Sequence, residues 1–331
     1  MFTHIARLFQ INRLRLAVVL CSTAAYLLAN IANIPAKANP QMPAPIQAQI
    51  SLDGSPRIML GEPIVLHYKI ANVSDNQGVG IGLGTYKTQW CQLSLSSADG
   101  RSAQVIPDER PLNPPGLHST GTYFLQPDGS EEDRLVVTRF FRILYPGRYT
   151  LAVHIRVPYV AEAVTEESAL TSNLRSDIKA NNKVLDDDFV FSLTVVKADP
   201  SVLKVKANSL MQSVTTEKDV QREKALLDAL FSMPETQAAS SWKSLANNAD
   251  RMDAELIADQ LARIHSITTA DLLVQMLDST KLSADETSYI KTKINQSYNS
   301  GDVQLKAYIK PLAANRGIEM PDEVAIPQVV D

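Results

Sequence analysis

Hydrophobic positions follow one period in the first part of the chain and another in the last. Up to about residue 200, apolar side chains recur at every second position, the spacing of strands with one buried face. Beyond it they recur three and four apart, as in amphipathic helices. Ile64, Leu66, Tyr68 and Ile70 form one alternating row, with Val65, His67 and Lys69 opposite. Tyr149, Leu151, Val153, Ile155 and Val157 form a second, with Arg148, Thr150, His154 and Arg156 opposite. Phe189, Phe191, Leu193 and Val195 make a third, and Cys91, Leu93 and Leu95 a fourth. Leu135 to Phe141 predicts a further strand whose inward face the pattern does not fix. Turn-rich stretches at Asp53-Gly54, Asn72 to Gly78, Asp99-Gly100, Asp128-Gly129 and Pro146-Gly147 separate these rows. Many alternating strands with no helical pattern between them predict an antiparallel β-sandwich over 48–198.

Six helices are predicted after it, near 217–231, 235–247, 252–264, 269–278, 284–300 and 302–312. The fifth opens on Ser283 and Glu286, a capping box in which each side chain satisfies the other's backbone amide. Gly301 is placed as its C′ residue, and Pro311 is expected to end or kink the sixth. Residues 199–216 read as a linker, 217–316 as the helical domain and 317–331 as an extended tail. The fold class is therefore multidomain β + α. Short links make sequential helices antiparallel neighbours.

Two local runs resemble known folds. Phe141 to Val153, with Pro146-Gly147 leading into Tyr149, resembles the tyrosine corner of immunoglobulin-like domains, in which the tyrosine hydroxyl bonds back to nearby backbone. Gly61 to Ser74 resembles the early strands of bacterial extracytoplasmic Ig-like domains. The core tryptophan and inter-sheet disulfide of antibody domains are not evident. Helix pairs beginning near 217, 252 and 284 resemble an α-solenoid of the HEAT or armadillo-like kind, with a compact bundle as the alternative. These resemblances imply binding or spacer modules rather than a specific activity.

Location comes from the first 38 residues. Arg7, Arg13 and Arg15 precede an apolar run, Leu16 to Ala29, and Ala36-Lys37-Ala38 fits a small-x-small cleavage rule. This predicts a signal peptide over 1–38, a proline-rich flexible entry over 39–47, and a periplasmic or secreted protein. A retained anchor is the alternative. Without the leader's four bases the chain has 28 Lys+Arg against 36 Asp+Glu, a net charge of −8. That balance argues against nucleic acid as a partner, and no later run predicts a membrane span. Cys91 is then the lone cysteine. Its row predicts a buried, unreactive thiol.

Candidate chemistry is sparse. No nucleophile elbow, zinc-protease helix or phosphate-cradling loop is present. Ser240-Ser-Trp-Lys243 and Ser201-Val-Leu-Lys204 match Ser-x-x-Lys, but the Lys-Thr-Gly element that would accompany a penicillin-binding enzyme is missing. His67 and His154, on outward strand faces, could together bind a transition metal. Asp186, Asp187 and Asp188 sit where the long connection 158–188 enters the last strand. With Asp75 they are a candidate calcium site, or else a charged loop edge. Beyond that ion no cofactor is expected. Trp90 and Trp242 are the candidate binding residues. Trp90 alternates with Cys91, so the pattern turns it partly outward, toward a sugar or protein contact or under the long loop. Tyr149, Gly147, Cys91, Ser283 and Glu286 are structural candidates. The reading that follows is a non-enzymatic protein-interaction protein acting through its helices. The rival is a carbohydrate- or envelope-binding module acting through the sandwich, and a hydrolase of unrecognised type comes third.

Overall fold

The computed structural model describes residues 44–82, 90–100, 103–106, 122–161, 183–248, 254–279 and 281–320. The predicted leader lies outside them. From Pro45 onward they belong to one compact unit. Eleven strands occur among the described residues. They are β1 (Ile46–Leu52), β2 (Arg57–Met59), β3 (Val65–Asn72), β4 (Val79–Gly82), β5 (Cys91–Ser97), β6 (Gln104–Val105), β7 (Thr122–Leu125), β8 (Ser130–Val136), β9 (Phe141–Arg142), β10 (Gly147–Val160) and β11 (Lys183–Val196). Seven helices follow: α1 (Pro200–Thr216), α2 (Val220–Phe231), α3 (Glu235–Asn247), α4 (Ala254–Ile264), α5 (Ile267–Met276), α6 (Ala284–Ser300) and α7 (Val303–Ala314). No described helix is long and apolar enough to cross a membrane.

Two main sheets form the β half. One has the order β1-β3-β8; the other runs β2-β11-β10-β4-β7, with β5 also on β10. All their pairings are antiparallel except β2 on β11. The alternating rows become the two inner faces. Ile64, Leu66, Tyr68 and Ile70 are buried in or beside β3, and Tyr149, Leu151, Val153, Ile155 and Val157 in β10. The sheets meet where Tyr68 packs edge-on to Trp90, ring centroids 4.7 Å apart. Each such aliphatic side chain contributes roughly 1.5–3 kcal/mol by leaving water.

Several expectations are corrected. Residues 46 and 47 of the predicted entry belong to β1. Leu135 to Phe141 is not one strand: β8 stops at Val136, a 3₁₀ turn takes Val137–Arg139, and β9 follows. Leu135, Val136 and Val137 are all buried, which is why no alternation shows. The long connection is shorter than 158–188, because β10 reaches Val160 and β11 starts at Lys183. Its residues 162–182 lie outside the described ones.

The largest correction is α1, in the stretch read as a linker. Asp199 is its N-cap, accepting from the amides of Ser201 and Val202, and Pro200 opens the helix. A proline there loses no hydrogen bond, because the first helical amides have no internal partner. Gly301 caps α6 with φ −72°, not in a left-handed conformation. A Cβ there would lie 2.9 Å from the Ser297 carbonyl oxygen, so the glycine serves close packing. Pro311 neither ends α7 nor stops its burial: the helix continues to Ala314, with Ile309 and Ala313 buried on either side of the proline. Their packing outweighs one lost backbone bond.

Among the helices, each packs on its neighbours and on the second helix along. α1 touches α3, α3 touches α5, and α5 touches α7; α2 touches α4, and α4 touches α6. Trp242 of α3 is fully buried in this core, stacked on Phe231 with centroids 5.2 Å apart. Its indole N–H donates to the Leu230 carbonyl, 3.3 Å away.

Candidate functional site

The sequence candidates are scattered over both halves. Trp90 and Cys91 are both buried, at 3% and 4% exposure. Trp90 stands one residue before β5 and is tied to β10 by its carbonyl, which accepts from the Arg156 amide at 2.8 Å, and its side chain departs from the strand's alternation to pack inward on Tyr68. Neither indole, Trp90 or Trp242, offers an open ring face. Gly147 starts β10 opposite Val195, and two residues on the Tyr149 hydroxyl donates to the Tyr145 carbonyl at 2.8 Å. Ser283 and Glu286 form the reciprocal cap of α6. The Ser283 hydroxyl and amide hold the Glu286 carboxyl below its usual range.

The acidic triplet lies inside β11, not at its mouth. In the ladder Asp186 faces Arg156, Asp187 faces Ile155 and Asp188 faces His154. A strand sends successive side chains to opposite faces, so Asp187 parts from its two neighbours. Asp186 and Asp188 flank His154 at 3.7 and 3.0 Å. Asp75 follows β3 of the other sheet and is exposed. Among the described residues no three acidic, histidine or cysteine side chains gather as a metal site would require. His67, proposed with His154 as a metal pair, lies on β3 of the three-stranded sheet and approaches Glu132 at 3.6 Å.

Two polar constellations escaped the sequence. Asn72, buried at the end of β3, donates its side-chain amide to the carbonyls of Gln77, Leu125 and Gln126 at 2.7, 3.1 and 3.0 Å. Its Oδ1 accepts from the Ser74 amide, so one side chain ties three segments. The position of Asn72 at a strand end followed by Ser74 was the available signal, because Asn favours local backbone bonds there.

The second joins the β half to the helices. Arg139, on the 3₁₀ turn, donates to the Asp228 carboxylate on α2. Gln260 Nε2 of α4 donates to the same oxygen at 2.7 Å, and Arg263 Nη1 lies 3.5 Å from it. Burial would raise the Asp228 carboxyl, but the two guanidiniums outweigh it and hold it down at about 2. Around this cluster Thr138 meets Ser232 at 2.9 Å, and Lys206 of α1 reaches Glu62 at 2.6 Å. Gly61, at φ +90°, lets Pro234 approach: a Cβ there would sit 2.6 Å from its ring. Met59 and Ala198 pack onto the helical core. The other strongly perturbed group is Tyr68, whose hydroxyl is pushed far up by burial and then by Asp133 and Glu131.

A third feature is the outer edge of β11. β10 pairs with it from Lys183 to Val195, but β2 covers the other side only at Thr194–Val196.

No family model matches the chain, and no curated protein matches it. Solved structures similar to parts of it include the ASH / PapD-like domain 7 of human CEP192. That match has 12% identity and a TM-score of 0.26, covering 49% of this chain and 94% of that one. Native alpha-2-macroglobulin from Escherichia coli, from domain MG7 to the C-terminus, matches at 9% identity and TM-score 0.25, over 84% of this chain and 48% of that one. A mutant Salmonella alpha-2-macroglobulin matches at 9% identity and TM-score 0.24, over 85% of this chain and 23% of that one. The chain spans about half or less of the macroglobulin structures. Superpositions this loose carry neither fold detail nor function to this molecule.

Proposed function

We propose that the chain is an exported protein-interaction protein of the cell envelope, periplasmic or secreted, whose helical half carries the main contact. The observation that supports it most is the helix packing. Helices that touch both their neighbour and the next but one build two rows, and each row leaves an outer face on solvent. This supports the HEAT- or armadillo-like reading. The facing sheets and the Tyr149–Tyr145 hydrogen bond support the immunoglobulin-like reading of the β half. Among the described residues the two strongly perturbed titratable groups, Asp228 and Tyr68, lie in packed interiors. The rival, sugar binding by the sandwich, called on an open aromatic ring, and Trp90 is buried.

Site-specific photo-crosslinking in the full chain tests the proposal. Probes replace Val205, Lys243 and Val303 on the helices, and Ser94 and Thr150 on the sheet face. Adducts to one envelope protein from helix positions alone are expected. Adducts from the sheet positions alone would move the contact to the sandwich.

A further inference from the structure

Beyond Thr194–Val196 the outer edge of β11 has no strand partner among the described residues, and β1 of the facing sheet lies close to β11 without pairing to it. The Thr194 amide donates to the Pro56 carbonyl at 2.8 Å, and the Val196 carbonyl accepts from the Leu60 amide at 2.9 Å. These bonds fix the phase: even-numbered residues of β11 turn their backbone groups away from β10. Val184, Asp186, Asp188, Val190 and Ser192 continue that row, and among the described residues no strand pairs with it. An unpaired row of amides and carbonyls is a template for one more strand.

The side chains of the same residues choose the occupant. Asp186, Asp188, Val190 and Ser192 lie on the solvent face. The carboxylates are 59% and 81% exposed, and Val190 is 67% exposed. Arg156 faces Asp186 across the ladder and offsets one charge; Asp187 adds another on the opposite face. A second copy is a poorer fit than a basic segment. Antiparallel pairing of two such edges about Asp187 sets Asp186 against Asp188 twice, and pairing about Asp188 sets that residue against itself; pairing about Phe189 sets Asp188 against Val190 and Asp186 against Ser192, but still gathers four carboxylates on one short ladder. Like charges directly opposed destabilise a ladder.

The geometry points to an extended segment of another protein, with Lys or Arg at two alternate positions and an apolar residue at the next alternate position. Its backbone would extend the sheet, its basic side chains would meet Asp186 and Asp188, and its apolar one would cover Val190. This contact goes beyond the proposed helical one and stands without it, since the variants below leave the helices untouched.

The test is fluorescence anisotropy of the labelled peptide Thr-Lys-Thr-Lys-Thr-Val-Thr with the full chain. Saturable binding is expected. Methylating alternate peptide amides, or Val190→Pro, which removes an outward N–H that the β10 ladder does not use, should weaken it at least tenfold. The double change Asp186→Lys, Asp188→Lys should abolish it and confer binding of the Glu counterpart of the peptide. Melting curves of both variants within error of the parent show that the fold is intact. Absence of saturable binding to the parent chain would overturn the proposal. So would binding indifferent to amide methylation, which would mean charge attraction alone. A concentration-dependent dimer abolished by Val190→Pro would give the edge to a second copy and overturn it equally.

Discussion

At the junction of the two halves, Asp228 meets Arg139 and Arg263 with side-chain exposures of 14%, 6% and 13%. On the sheet face, His154 lies 3.0 Å from Asp188, whose side chain is 81% exposed. The acid–base chemistry is alike and the solvent differs. Water screens the sheet pair, so its attraction is worth little. The junction cluster has given up hydration that only its own partners replace, so losing one partner leaves a charge stranded. The distance between charges does not predict their weight; the dielectric around them does.

The sharpest way to break this contrast is Arg139→Ala. It should cost about 3 kcal/mol, the lower end for a broken buried pair because Arg263 remains beside Asp228. Urea midpoints measure it, and a loss no larger than that of Asp188→Asn would erase the distinction.

Acid is the next largest lever. The folded carboxyl of Asp228 titrates at about 2 against an ordinary value of 3.8. A depressed folded value means the contribution is present in full above about pH 4 and is lost as pH falls toward 2. The difference is worth roughly 2 kcal/mol. Urea midpoints between pH 5 and 2 should therefore fall less steeply for Asp228→Asn than for the parent chain. Parallel slopes would show that the guanidiniums do not hold the carboxylate.

Tyr149→Phe removes a single bond, to the Tyr145 carbonyl. It should cost about 1 kcal/mol or somewhat more. An unchanged midpoint would mean that the hydroxyl carries no weight in the corner. Smallest of all, Asp188→Asn should leave the midpoint within error, since an exposed partner loses little. A clear loss there would show the sheet-face pair to be less screened than its exposure implies.

Legibility followed the same division between solvent-facing and enclosed surfaces. The rows in β3 and β10 could be read because one face of each strand meets water, which forces polar residues onto alternate positions. Helices α3 to α7 showed stripes for the same reason. α1 did not: Leu203, Ala207 and Val214 are its buried residues, a stripe too thin to stand out among lysines and serines. Asp199-Pro200, an N-cap followed by proline at the first helical position, is the signal that announces it. Asn72 and the Arg139–Asp228 pair were illegible for another reason. Arg139 and Asp228 are 89 positions apart, and no local pattern announces a partner at that distance.

Between the last strand and the first helix stand only Lys197, Ala198 and Asp199. Ala198 is packed on the helical core, and Asp199 is bound to the helix it caps. That leaves no slack for a hinge. Both halves belong to one compact unit. A glycine-rich insertion after Lys197 should therefore uncouple motions that the short link ties together, which domain-resolved relaxation would read as two correlation times in place of one.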